Sequence, residues 1–101
     1  MRMGLLCGQG TVEVKIPETV RLLEMKPLPG LKDPISAVQE AISNPVGSPP
    51  LAEVARGRRS ACVVISDVTR PVPNQMILPP ILETIEASGI PRREITVLIA
   101  T

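Results

Sequence analysis

In the segment VISDVTRPVPNQ, residues 64–75, an apolar run ends at Asp67, and Thr69 and Arg70 follow at once. Arg70 offers a planar fork of donors that matches a carboxylate or a phosphate. Thr69 adds a hydroxyl, and Asp67 can accept from a donor on a ligand or orient a neighbouring base. Together they would make a cradle for an anion or a polar ligand. The same residues also fit a plain Asx turn in which Arg70 pairs back to Asp67 on the surface.

The elements around this stretch decide what it can face. ACVVIS, residues 61–66, is nearly all apolar, as a strand buried on both faces should be. QMILPPILETIEASG reads as a helix ending at Gly89. A mid-helix proline costs ~3 kcal/mol or more, so Pro79 and Pro80 either move the start to near Leu78 or kink the first turns. ITVLIA, residues 95–100, is a second apolar strand. With a helix between them the two strands should run parallel, joined by a right-handed crossover. Parallel strands end on one edge, and in open α/β sheets ligands bind outside the carboxyl ends. Asp67, Thr69 and Arg70 leave the first strand at that edge and Thr101 leaves the second, where a further site loop would be expected to begin.

Upstream, GLLCGQGTVEVKIP alternates about Gly8, Gln9 and Gly10, with Val12, Val14 and Ile16 on one face. That is the period of a β-hairpin. A further short strand is expected over residues 20–25. GQG is a weak match to a phosphate loop, because here it leads into a strand and not a helix. KPLPGLKDP is a loop whose Asp33 can cap a helix with Pro34 at its first position, running to about Ser43. After NPVGSPP, Ser48 can cap a second short helix that ends at Gly57. The expected fold is therefore α/β: an N-terminal β-hairpin, then a Rossmann-like βαβ unit with parallel strands in an incomplete sheet, as a single domain over residues 1–101.

Composition narrows the function. Of the 101 residues 44% are hydrophobic but none is Phe, Tyr or Trp, so aliphatic side chains must fill any core. A net charge of +1 and the lack of aromatics remove both the basic face and the stacking platforms that nucleic-acid binding uses. Arg56, Arg58 and Arg59 read as a solvated helix end, where cations complement the carbonyl dipole. There is no apolar run of ~20 residues to cross a membrane. Cys7 and Cys62 lie in apolar segments and are expected to be buried, reduced thiols of a cytoplasmic protein. With no histidine in the chain they make no structural zinc site.

SDVTRPVPN, AISNPVGSPPLAEVARG, GQGTVEVKIPE and ITVLIAT, taken in their order, resemble the N-terminal domain of the nickel-dependent lactate racemase family. The resemblance implies that Asp67, Val68, Thr69 and Arg70 contact a nickel-pincer nucleotide derived from nicotinic acid, with Arg70 the nearest to an anionic substrate. It implies a reaction that takes a hydride from the α-carbon of a 2-hydroxy acid and returns it to the opposite face, with histidines as acid and base. It also implies that those histidines, the lysine that tethers the cofactor and the histidine that ligates nickel lie in the remainder of a parent chain. Alone, these 101 residues are expected to be inactive. A standalone anion- or nucleotide-binding module, or a structural domain in which the loop is only a turn, would share the fold and lack the chemistry.

Overall fold

Two separate two-stranded sheets organise the chain, and the computed structural model describes residues 1–101. The first is the expected hairpin of β1 (Arg2–Cys7) and β2 (Gly10–Lys15), with Met3 opposite Val14 and Leu5 opposite Val12. Gly8 has φ of 59° and no non-glycine residue has positive φ. That is the pattern of a two-residue type II′ turn, which needs glycine first. At its open end the Met1 ammonium donates to the Ile16 carbonyl at 2.9 Å and to Glu18 Oε1 at 2.7 Å.

The second unit begins with α1 (Pro34–Ser43) and α2 (Leu51–Ala55), followed by β3 (Ala61–Ser66) and α3 (Asn74–Ala87). A 3-10 turn (Arg92–Glu94) then leads into β4 (Ile95–Ala100). β3 and β4 are parallel, in register from Ala61 opposite Ile95 to Ser66 opposite Ala100. The α/β architecture inferred from the sequence is thus the one observed. α3 closes over one sheet face because its Ile81 and Ile85 meet Ala61, Val63 and Ile95, with Leu51 and Ala55 of α2 alongside. Ile90, 1% exposed, plugs the end of this layer just after Gly89 reverses the chain at φ of 105°. α1 packs on α3 and α2, and its start is fixed as expected. Asp33 Oδ1 accepts the Ser36 N–H at 3.0 Å and Oδ2 the Ser36 hydroxyl at 2.7 Å.

Several expectations fail, and most fail for one reason. Residues 20–25 form no strand, since nothing in the chain pairs with them, and Leu23 and Met25 are exposed. β3 is not buried on both faces, because its sheet has two strands and a helix layer on one side only. Cys7 and Cys62 are free but exposed, on sheet faces that nothing covers. The radius of gyration, 20.0 Å, far exceeds the ~13 Å of a compact chain of about 100 residues. Two further differences are local. α2 starts behind Pro50 with no side-chain cap, so Ser48 does not cap it. α3 begins at Asn74, not near Leu78, and runs through both prolines. Arg56, at the end of α2, and Arg58, whose Nε donates to the Val54 carbonyl at 3.5 Å, do sit at a helix terminus.

The α3 prolines leave the carbonyls of Gln75 and Met76 without their helical donors. Pro80 is buried and contributes packing, whereas Pro79 is exposed. Pro79→Ala should therefore stabilise the fold by about 2–2.6 kcal/mol. It relieves a helix-interior penalty of about 3 kcal/mol, less the roughly 0.4–1 kcal/mol by which proline restricts the unfolded chain. Denaturant unfolding of the two proteins measures this, and a destabilised Pro79→Ala would contradict it.

Candidate functional site

β3 delivers the chain to Asp67 at the carboxyl edge of the parallel sheet, and α3 begins seven residues later. A tight ladder of short-range bonds shapes the loop between them. The Arg70 N–H donates to the Asp67 carbonyl at 3.2 Å, Val72 N–H to Arg70 at 2.8 Å and Asn74 N–H to Val72 at 2.8 Å. Pro71 and Pro73 hold their own φ and cannot compete as donors. Asn74 Nδ2 then reaches back to the Ser66 carbonyl at 3.5 Å, the limit of hydrogen-bond range, and ties the helix start to the strand end.

A cavity of about 400 Å³ lies against this loop, bordered by Ser66, Asp67, Val68, Arg70, Asn74 and Ile99 among others. Its size falls within the ~300–1,000 Å³ usual for small-molecule sites. Of the four expected residues, Asp67, Val68 and Arg70 border it and Thr69 does not. Thr69 instead gives both its donors to Asp67 Oδ1, the N–H at 2.9 Å and the hydroxyl at close range. Thr69 therefore orients the carboxylate, and Asp67 keeps Oδ2 for another donor. Val68 is fully exposed at 100%, an apolar side chain in open solvent at the mouth.

Arg70 separates the two readings of this loop. The Asx turn at Asp67 is present, but the Arg70 guanidinium does not pair back to it. Its side chain joins none of the side-chain hydrogen bonds of the loop, and the ion pairs of the structure lie elsewhere, at Met1, Arg2, Arg92 and Arg93. A charged fork thus stands at a cavity mouth with nothing to hold. Asn74, Gln75 and Ile99 also border the cavity, beyond the residues expected from the sequence. Of these, Asn74 carries a sequence signal, since it stands directly after V-P at a helix start. The N-terminus of α3 faces the loop, where positive dipole charge favours an anion. Of its first N–H groups, those of Asn74 and Met76 bond to Val72 and Pro73, leaving that of Gln75.

The Thr69 hydroxyl, and then the Thr69 N–H, hold the Asp67 carboxyl below its ordinary pKa of 3.8. The folded value is depressed, so the contribution to stability is present above the ordinary value and lost as pH falls through the folded one. At neutral pH Asp67 is a carboxylate and serves as an acceptor. An NMR titration of the Asp67 side-chain carboxyl should give a midpoint below 3.8. In Thr69→Val it should move upward. A wild-type midpoint at or above the ordinary value would contradict the geometry.

Residues 7–101 match the family described as the lactate racemase N-terminal domain. Lactate racemase of Lactiplantibacillus plantarum (strain ATCC BAA-793 / NCIMB 8826 / WCFS1) is 41% identical over 64 residues, covering 63% of this chain and 15% of that protein. Lactate racemase of Thermoanaerobacterium thermosaccharolyticum is 36% identical over 64 residues, with the same coverage of each chain. The chain thus spans a small part, 15%, of the length of these curated relatives. With nearly its whole length matched, the chain belongs to the lactate racemase N-terminal domain family.

Proposed function

We propose that residues 1–101 form a single domain, the cofactor-binding portion of a larger 2-hydroxy-acid racemase or epimerase, and that loop 67–70 holds a nickel-pincer nucleotide. The observation that carries this reading is the unpaired Arg70 guanidinium at a cavity on the carboxyl edge of a parallel sheet, in a chain of this family.

The residues present fit such a group. Arg70 would fork onto its phosphate or carboxylate, with the Gln75 N–H and the α3 dipole on the same side. Asp67 Oδ2 would accept from a ribose hydroxyl, its partner oxygen held by Thr69. Val68 and Ile99 offer apolar surface to a ring. No three His, Cys, Asp or Glu side chains cluster as a metal site here, so these residues would hold the organic part of the group. When bound, the nickel-pincer nucleotide would supply the acceptor and donor of a hydride at the substrate α-carbon. Asp67, kept ionised, cannot act as the acid, and the chain has no histidine. The acid and base would therefore come from the rest of the polypeptide, and the 101 residues alone would not racemise a 2-hydroxy acid. The two free thiols suit a reducing compartment, and no helix is long and apolar enough to cross a membrane.

In the complete racemase polypeptide, Arg70→Ala should leave the melting temperature unchanged, because the side chain has no partner to lose. Turnover should fall about ten- to over a hundredfold, as expected for losing a charged hydrogen bond of about 1.5–3 kcal/mol. Arg70→Lys should recover only part of it, since an ammonium lacks the fork. Kinetics and unfolding measured together on both variants test this, and normal turnover in Arg70→Ala would leave the loop a plain turn.

A further inference from the structure

Side chains alternate along β3 and β4, so Cys62, Val64 and Ser66 share a sheet face with Thr96, Leu98 and Ala100. α3 covers the opposite face. On this one Cys62, Thr96 and Ala100 are exposed, Val64 is 60% exposed and Leu98 52%. β3 pairs only with β4, so its other edge is free. A cavity of about 560 Å³ runs between that edge and α2, lined by Val54, Cys62 and Val64 among mostly apolar neighbours. Parallel sheets are buried on both faces, because their crossovers carry helices. A bare apolar face beside a free strand edge needs an occupant.

We propose that this face and edge dock the rest of a racemase polypeptide, as a further parallel strand along β3 whose crossover helix lies over Cys62, Val64 and Leu98. The inference rests on the reading of this chain as part of such a polypeptide. Relatives of which it spans 15% have ample further chain to supply both elements.

Handedness makes the strand and the helix one unit. Seen from the α3 side with strands pointing up, a right-handed crossover carries β3 through α3 to β4 on its right. A crossover from β4 whose helix lies behind the sheet must run leftward, past β3 to its free edge. A crossover to β4's right would place its helix on the α3 side and leave Cys62 and Val64 bare. With the leftward path the chain leaves β3 toward one face and β4 toward the other. The strand order would then reverse at β3, between it and the added strand, and α/β sheets bind ligands at such a switch point. Asp67 and Arg70 leave β3 at that point and border the cavity beside it. The docking that covers Cys62 would thus also place further chain beside the cofactor site.

Cys62, in the middle of the bare face, reports this without reference to cofactor or turnover. The complete polypeptide would be alkylated in native buffer and in denaturant, and the Cys62 peptide quantified by mass spectrometry. Native labelling should be at least about a hundredfold slower, as for a group reached only through opening of packed structure. The protection should not vary with protein concentration. Labelling within a few-fold of the denatured rate would overturn the proposal. So would protection that appears only as the protein self-associates, which would assign the face to a second copy. Protected Cys62 in a protein whose Arg70→Ala variant turns over normally would support the docking while removing the cofactor reading.

Discussion

The parallel pairing of β3 with β4 is the constraint on which the rest depends. Antiparallel strands could be joined by a short turn, but parallel strands require a crossover long enough to return to the starting edge. α3 provides it, and in doing so supplies Ile81 and Ile85 to the small core and presents its own N-terminus to the strand end. Because both strands run the same way, Ser66 and Ala100 end side by side. The cavity, the loop that borders it and the helix dipole behind it all follow from that register.

The same pairing explains why so little is buried. A two-stranded parallel sheet with helices on one side leaves a face and two edges open, and the hairpin adds another open apolar face. Burial of a large aliphatic side chain stabilises by roughly 1.5–3 kcal/mol, and here only Ala55, Ile85 and Ile90 form the fully buried hydrophobic core. The unused apolar surface is of the same kind as the used surface: β-branched and aliphatic residues in strand alternation. A chain this elongated, with its hydrophobic faces outward, has the form of an element of a larger assembly.

Much of this was legible in the sequence, for identifiable reasons. The hairpin showed in the alternation of Val12, Val14 and Ile16 and the glycine at its turn. The βαβ unit showed in two apolar runs separated by a helical pattern, and connectivity alone then placed Asp67 and Arg70 at the sheet edge. Asp33 and Pro34 marked a helix start that the structure caps as written. What was not legible depended on partners. Apolar type says that Cys7, Cys62 and Leu23 seek cover, but not whether cover lies within the same 101 residues. The run through Pro79 and Pro80 could not be read from propensity, since tertiary packing of Pro80 overrides it. In the site, residue types placed Thr69 among the ligand-facing groups, whereas its geometry turns both donors onto Asp67. A short side chain's choice between backbone-local and outward bonding is decided by loop torsions that no spacing encodes. Asn74's reach back to Ser66 was hidden for the same reason.

Loop 67–70 is proposed to read an anion of a nucleotide cofactor through Arg70, and an experimental structure of the complete polypeptide with that cofactor bound tests this most directly. A phosphate or carboxylate oxygen of the cofactor should lie within hydrogen-bonding distance of the Arg70 guanidinium. A hydroxyl should donate to Asp67 Oδ2, with Thr69 still bonded to Oδ1. A cofactor seated elsewhere, with Arg70 still extended into solvent, would contradict it.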